Sequence, residues 1–369
     1  MTSLASPSSA ANTGAAQTFP EWLAARAARQ GDAVALRYKR RGLWHQESWR
    51  ELEADVAALA RGLSARGFAP GDRLLVDAGP GPTVFRVALA VLRLGGALLC
   101  GVPGGSGLGA SDEIRFALAE DDAARARIGA AREAVGAGAL ELGIVLDGED
   151  AVDASSAWLS LDALREVDDT ASPLPPLPSP GTEGLVGLSA RASLTQGAWL
   201  QSAQELLAAA GIDAGKRVFA SRSLGSLALP AQLASLLGAW VVSGFALSFG
   251  ETAATEDYDR REIGPHVVFG SEDGYAALVA RTRQALPSGH GLEARWISRS
   301  LDGGGGPRAL LRRFLVRRLR EVVGLGHLER AVAVGGAGAA AAGFERLFGI
   351  APFAWHASAG VPSTVGTLA

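Results

Sequence analysis

Residues 67–102 read GFAPGDRLLVDAGPGPTVFRVALAVLRLGGALLCGV, and this stretch decides the fold. Its pattern predicts a turn at Pro70, a buried strand from Arg73 to Val76, a helix from Thr83 to Leu94 and a second strand from Ala97 to Val102. Two apolar strands joined by a helix of this length are typical of a crossover unit, in which the strands run parallel. The stretch therefore predicts an α/β fold built on a mostly parallel sheet.

The same alternation continues on both sides of this unit. On the N-terminal side the sequence predicts a helix from Phe19 to Arg29, a hairpin that turns at Gly42, and a helix that begins with the capping box Ser48–Glu51. On the C-terminal side it predicts helices over Asp112–Ala119, Leu194–Ala210 and Pro230–Gly238, with strands over Arg217–Ser221, Trp240–Leu247 and His266–Phe269. We expect stacked, mostly parallel sheets with helices between and outside them.

Composition divides the chain into four parts. Residues 1–17 are small and polar and cannot bury enough apolar surface to fold, so we expect a disordered tail. A first α/β lobe is expected over 18–165 and a second over 185–369. The connector between them, 166–184, is rich in proline, which removes the backbone donors that a strand needs.

Charge and cysteine content exclude several classes of protein. The net charge of −3 and the isoelectric point near 6.0 argue against a nucleic-acid partner. Cys100 is the sole cysteine, and the five histidines lack metal-ligand spacing, so no disulfide framework and no metal site are expected. The N-terminus does not resemble a secretory signal, which predicts a cytoplasmic protein.

The segment 307–323 predicts a cationic amphipathic helix. Leu311, Leu315, Leu319 and Val322 fall on one face at helical spacing, and five arginines occupy the rest of the surface. One interpretation is a solvated helix that packs on the core. The other is a membrane or partner surface formed by Arg312, Arg313, Arg317 and Arg318.

Short motifs follow one another in an order that resembles a known family. The segments are Phe19–Leu23, Ser48–Leu52, Gly67–Leu75 (GFAPGDRLL), Glu113–Ala124, Leu194–Leu200, Arg261–Gly270 and Ala331–Ile350 (AVAVGGAGAAAAGFERLFGI). Together they resemble the N-terminal large domain of AMP-binding, adenylate-forming enzymes, and among these the long-chain fatty acyl-CoA synthetases. The resemblance implies the fold of that domain. It also makes Gly335, Gly336 and Ala337 the remnant of the motif that faces adenine.

The resemblance implies a reaction in two halves. A carboxylate attacks the α-phosphate of ATP in the presence of Mg²⁺, and the thiol of coenzyme A then displaces AMP. Such chemistry needs a loop of backbone N–H groups and hydroxyls for the phosphates, a carboxylate for the metal, and a lysine near the α-phosphate.

This sequence departs from the family at those positions. The phosphate loop, TSGTTGxPKG in the family, should lie just before Leu194, but residues 183–193 read EGLVGLSARAS, with no threonine, lysine or paired glycines. Ser226 stands where the family has a histidine. Ala357 replaces the stacking aromatic residue, and Val361 replaces the metal-binding glutamate. The small C-terminal domain of the family is expected to be absent, and no catalytic residue is assigned.

These departures favour a catalytically inactive, acyl-CoA-synthetase-like pseudoenzyme without a cofactor. We expect a regulatory, scaffolding or acyl-binding role in lipid metabolism. Its partner would be a full-length synthetase, another lipid-pathway enzyme or a second copy of the chain, with peripheral contact at the inner membrane surface as a further option. The alternative is an active fatty acyl-CoA ligase or adenylating subunit, completed by a partner chain and using ATP, Mg²⁺ and coenzyme A. A third alternative is a degraded gene product without stable function.

Overall fold

A computed structural model gives the structure of the chain. It describes residues 18–101, 114–136, 138, 140–146, 157–166, 173–188, 192–227, 229–287, 295, 297, 299, 301 and 307–356. The predicted tail 1–17 lies outside the described residues, as do Ala357 and Val361.

The described chain alternates strands with helices. The strands are β1 (Val34–Arg40), β2 (Leu43–Ser48), β3 (Arg73–Asp77), β4 (Ala97–Cys100), β5 (Phe116–Ala119), β6 (Leu142–Val145), β7 (Trp158–Ser160), β8 (Glu183–Gly187), β9 (Ala192–Thr195), β10 (Arg217–Ala220), β11 (Ala246–Phe249), β12 (Val267–Ser271), β13 (Arg330–Val334) and β14 (Phe353–Trp355). The helices are α1 (Phe19–Gln30), α2 (Trp49–Ala65), α3 (Pro82–Arg93), α4 (Asp122–Ala134), α5 (Leu161–Arg165), α6 (Gln196–Ala210), α7 (Leu229–Ser243), α8 (Glu256–Ile263), α9 (Glu272–Ala285), α10 (Pro307–Val322) and α11 (Ala340–Phe348), with a 3-10 turn at Arg222–Ser226.

These strands form two seven-stranded sheets. Sheet A has the order β14-β13-β12-β10-β11-β1-β2, and sheet B has the order β7-β6-β5-β3-β4-β8-β9. Neighbouring strands are parallel except in the pairs β1–β2 and β8–β9, each of which closes one end of its sheet. The predicted α/β class with mostly parallel sheets is therefore confirmed. The sheets do not follow the predicted lobes along the chain, because β1 and β2 join sheet A while β8 and β9 join sheet B.

The main core is built around three fully buried tryptophans. Trp49 stacks at a tilt on Trp240, with ring centroids 5.2 Å apart. The indole N–H of Trp240 donates to the carbonyl of Ala35, and that of Trp199 donates to the carbonyl of Ala234. These two rings therefore contribute apolar burial with a satisfied donor. The buried indole nitrogen of Trp49, in contrast, has no hydrogen-bond partner among the described residues.

The capping box at the start of α2 is confirmed in atomic detail. The backbone N–H of Glu51 donates to Ser48 Oγ at 3.2 Å, and the backbone N–H of Ser48 donates to Glu51 Oε2 at 2.8 Å. Hydrogen bonding by Ser48 also lowers the pKa of the Glu51 carboxyl.

The helix predicted over Asp112–Ala119 is wrong. Residues Phe116–Ala119 instead form strand β5, which lies between β3 and β6 and is buried on both faces. A strand inside a parallel sheet is covered on both faces, so its residues are all apolar and do not alternate with polar ones. Such a continuous apolar run does not distinguish a strand from a buried helix. The helix begins later, at Asp122, where the Asp121 side chain accepts a hydrogen bond from the N–H of Ala124.

Two other boundaries are also corrected. The strand predicted over Trp240–Leu247 is wrong, because α7 continues to Ser243 and ends before Gly244, whose φ is +77°. Strand β11 begins only at Ala246. The helix predicted from Leu194 begins two residues later, since Ala192–Thr195 pairs with β8 as strand β9 and Thr195 is the N-cap of α6.

Candidate functional site

A cleft of about 960 Å³ lies between the two sheets, where strands of both end. Its lining includes the residues that follow β10 and β11 of sheet A, and those that follow β3, β5 and β6 of sheet B. Ligands of α/β proteins commonly bind outside the carboxyl ends of parallel strands. This cleft is therefore the candidate site that the fold itself defines.

A chain of ion pairs crosses one wall of this cleft. Arg86, on α3, is 8 % exposed and donates to Glu47 Oε2 through Nε at 3.1 Å and Nη2 at 2.7 Å. Its Nε also lies 3.5 Å from Asp55 Oδ2. Arg165 binds both carboxylate oxygens of Asp55, at 2.6 and 3.0 Å, and reaches Asp162 at 2.7 Å. Each guanidinium is thus held by two carboxylates.

The cleft carries slightly more negative than positive charge. Five cationic and six anionic side chains line it. Burial raises the pKa of the Glu47 carboxyl, an effect that outweighs the hydrogen bonds from Arg86. Two arginines of the lining, Arg40 and Arg222, have no side-chain partner among the described residues and are exposed. These two are the cations that the cleft offers to a ligand.

Both lysines of the chain are held in ion pairs. Lys39, at the edge of the cleft, places Nζ 3.0 Å from Asp259 Oδ1 and 2.6 Å from Glu262 Oε2, and these hydrogen bonds raise its pKa. Asp259 is fully buried and also accepts from the N–H of Glu251. Lys216 pairs with Glu329 at 2.6 Å and does not line the cleft. Neither ammonium is free to approach a substrate.

The position where the resemblance implies a phosphate loop lies between two paired strands. Strands β8 and β9 are antiparallel, with Gly187 opposite Ala192, so only residues 188–191 connect them. Leu188 is buried, and its N–H donates to the carbonyl of Cys100. Ser193 is an exposed residue of β9. The remaining residues of the connection, 189–191, lie outside the described part.

The proposed adenine-site remnant follows β13, the second strand from one end of sheet A. The N–H of Gly335 donates to the carbonyl of Trp355, and Gly336 has a φ of +121° and faces the His356 ring. The Glu272 carboxylate occupies the space beside Gly338 and accepts from the N–H of Ala339 at 3.1 Å. Gly335, Gly336 and Ala337 do not line the cleft between the sheets.

Helix α10 forms as predicted, but its faces differ from the pattern. Val322, expected to point inward, is 64 % exposed, and the residue that packs inward is Val316. Arg313, Arg317 and Arg318 are exposed. Arg312 is half-buried, and its Nε is inaccessible to solvent.

Sequence reasoning missed the ion pairs of the cleft. Glu47, Asp55, Arg86 and Arg165 come from four separate elements, so no local spacing joins them. The one signal was Arg86 itself, a charge inside the apolar run VFRVALAVL. Within the described part of the chain no group of His, Cys, Asp and Glu could hold a metal ion, and no helix there is long and apolar enough to cross a membrane.

The fold resembles several solved structures. A protein described as a long-chain-fatty-acid CoA ligase from Rhodopseudomonas palustris is 16 % identical, with a TM-score of 0.61 over 91 % of this chain and 74 % of its own. The A domain of a carboxylic acid reductase from Segniliparus rugosus is 15 % identical, with a TM-score of 0.69 over 95 % and 62 %. Acetoacetyl-CoA synthetase from Streptomyces lividans is 18 % identical, with a TM-score of 0.61 over 95 % and 54 %. This chain thus spans less than two thirds of the last two.

The chain has two mostly parallel sheets with flanking helices. This architecture matches the N-terminal domains of adenylate-forming enzymes. Residues 23–173 also match the family model described as AMP-binding enzyme. No curated protein sequence matches the chain. The resemblance to AMP-binding, ligase-like proteins is therefore confirmed.

Proposed function

We propose that this chain is an acyl-CoA-synthetase-like protein that does not form acyl-adenylates. Its role in lipid metabolism is regulatory, scaffolding or acyl-binding. The observation that carries the proposal is the four-residue connection between β8 and β9, at the position of the family's phosphate loop.

The described residue of this connection and its sequence both differ from what a triphosphate requires. Phosphates are held by several free backbone N–H groups in a concave loop, assisted by hydroxyls and a lysine. Here the N–H of Leu188 is already bonded to Cys100, and its side chain is buried. Neither threonine nor lysine occurs between the strands.

The charges of the cleft support the same conclusion. The buried guanidinium of Arg86 is engaged by Glu47 and Asp55, and the ammonium of Lys39 is engaged by Asp259 and Glu262. A surplus of carboxylates repels a polyphosphate, since like charges in a partly desolvated site disfavour one another. The described residues therefore do not fit ATP with Mg²⁺, and no reaction step is assigned to them.

The alternative, an active adenylating subunit, is favoured by one observation. Arg40 and Arg222 face the cleft without a carboxylate partner among the described residues, so they could bind an anion there. In that case a partner chain would have to supply the phosphate cradle. Full-length synthetases and other lipid-pathway enzymes are the proposed partners. The cytoplasmic location stays a prediction.

The test is isotope exchange between pyrophosphate and ATP, measured with Mg²⁺ and fatty acids of several chain lengths. We expect exchange at background for the wild type and for the paired variant Arg40→Ala with Arg222→Ala. Exchange that is abolished by chelating Mg²⁺ would contradict the proposal. If that exchange also falls in the paired variant, the active-subunit alternative gains direct support.

A further inference from the structure

Helix α10 presents an unusual combination of side chains to solvent. Six large apolar residues of the described chain are strongly exposed, and three of them lie on this helix: Leu310 at 72 %, Phe314 at 55 % and Val322 at 64 %. At 100° per residue these three fall on one side, together with several charged residues. We call this side the outer face of α10; its members are Leu310, Arg313, Phe314, Arg317, Arg318, Glu321 and Val322.

The outer face is not needed to hold the helix in place. On the opposite side, Val316 is 9 % exposed, and Leu315 and Leu319 pack against the core formed by β12, β13, α9 and α11. The helix is therefore fixed by its inner face. Leu310 and Phe314 therefore leave apolar surface in water, which is unfavourable.

Positive charge surrounds these apolar residues. Arg317 and Arg318 share a single carboxylate, Glu321, at 3.0 and 3.1 Å, while Arg313 has no carboxylate partner among the described residues. The Arg318 guanidinium also lies 5.5 Å from the centre of the Phe314 ring. The outer face thus has three cations and one anion, placed between aliphatic and aromatic side chains.

We propose that the outer face of α10 binds the surface of an anionic lipid bilayer, with the helix axis in the membrane plane. Phosphate headgroups would pair with the arginines, and Leu310, Phe314 and Val322 would enter the boundary between headgroups and acyl chains. From residue 310 to residue 322 the helix is about 18 Å long, which gives a convex ridge and not a groove. The inference goes beyond the proposed function and does not depend on whether the cleft binds nucleotide.

Other ligands fit this face less well. A nucleic acid offers phosphates to the arginines but leaves the three apolar residues in water, because its outer surface is the sugar–phosphate backbone. An acidic protein groove or a second copy of this chain could cover apolar residues. Neither supplies the phosphate headgroups that the three arginines fit, and the experiment below distinguishes a second copy of the chain from a bilayer.

The experiment is co-sedimentation of the full chain with phosphatidylcholine vesicles, with and without phosphatidylglycerol. We expect binding to the anionic vesicles alone at low ionic strength, and loss of binding as salt is added. The paired variant Arg313→Glu with Arg317→Glu should bind more than about tenfold more weakly, since each arginine near an anionic surface contributes appreciably. Leu310→Ser with Phe314→Ser should weaken binding comparably, whereas Glu321→Gln should strengthen it.

Matched controls distinguish binding by the outer face of α10 from non-specific adsorption to vesicles. Leu43 is 67 % exposed on β2, far along the chain from α10, and Leu43→Ser with Arg41→Glu should leave vesicle binding unchanged. The arginine and apolar variants change exposed residues, and Glu321→Gln changes a partly exposed one, so their thermal unfolding should stay close to that of the wild type. Equal sedimentation with both kinds of vesicle, or binding that survives both α10 variants, would overturn the proposal. The proposal would also be overturned if the wild type did not bind vesicles but formed a dimer, and if Phe314→Ser dissociated that dimer.

Discussion

Two arginine-rich regions of this protein use the same side chain in opposite ways. In the cleft, Arg86 is 8 % exposed and is held by Glu47 and Asp55. On α10, Arg317 is 80 % exposed and shares Glu321 with Arg318. A guanidinium that is desolvated and paired with carboxylates is not available to a ligand, and its removal is costly because it leaves those carboxylates uncompensated. A solvated guanidinium with an incomplete set of partners contributes little to folding and remains free to bind.

The paired charges of the cleft are consistent with the proposal that it does not form acyl-adenylates. Several elements converge there, and their charged groups neutralise one another. Residues of β2, α2, α3 and α5 are joined through Glu47, Asp55, Arg86 and Arg165. The paired charges of the cleft therefore join elements of the two sheets, whereas the arginines of α10 are solvated.

The largest expected effect comes from breaking the ion pairs of the cleft. Arg86→Met should lower the free energy of unfolding by about 3 kcal/mol or more, because it leaves the half-buried Glu47 carboxylate without its cation. Urea unfolding followed by tryptophan fluorescence measures the change. Arg317→Met on α10 is the matched control and should change it by less than about 0.5 kcal/mol. If the two variants change the free energy of unfolding by similar amounts, the arginines of the cleft and of α10 do not differ in their contribution to stability.

Replacing the lysines should change the free energy of unfolding by a smaller amount. Lys39→Met should cost about 2 kcal/mol, because the fully buried Asp259 loses a charged hydrogen-bond donor while keeping those from Glu251 and Thr255. Lys216→Met removes an ion pair with a half-exposed Glu329, which solvent screens, so its effect on the free energy of unfolding should be clearly smaller. The same urea titrations compare them. If Lys39→Met is neutral, the ammonium is free and its exclusion from chemistry fails.

The sequence allowed the α/β class to be predicted because its signals are local. The crossover unit at 67–102 and the capping box at Ser48 depend on neighbours within one or two turns. The errors arose where burial on both faces removes periodicity. Phe116–Ala119 has residues compatible with a helix, and only its place between β3 and β6 makes it a strand. Trp240 and Val241 look like a strand but pack as part of a fully buried helix.

The candidate site was less accessible to prediction for a different reason. Asp55 and Arg165 are 110 residues apart in sequence but form a bidentate pair, which no motif spacing anticipates. The outer face of α10 was partly anticipated from its arginines. The pattern alone could not tell that the inner face is centred on Val316, which leaves Val322 exposed, because that depends on the angle at which the helix meets the core.

The smallest effect that distinguishes the two regions is in the titration of their glutamates. Burial raises the pKa of Glu47 in the cleft, whereas hydrogen bonds from Arg317 and then Arg318 lower the pKa of Glu321 on α10. For Glu321 the folded pKa lies below the unfolded value, so its contribution to stability is present above the unfolded pKa and is lost as pH falls through the folded pKa. For Glu47 the sign is opposite: its contribution is present below the unfolded pKa and is lost as pH rises through the raised folded pKa. Carboxyl ¹³C shifts of glutamate-labelled protein, assigned with Glu47→Gln and Glu321→Gln, should therefore place the Glu47 midpoint above that of Glu321. The reverse order would mean that Arg317 and Arg318 do not lower the pKa of Glu321 and that Glu47 is solvated. The cleft and α10 would then not differ in how far their charged groups are removed from water.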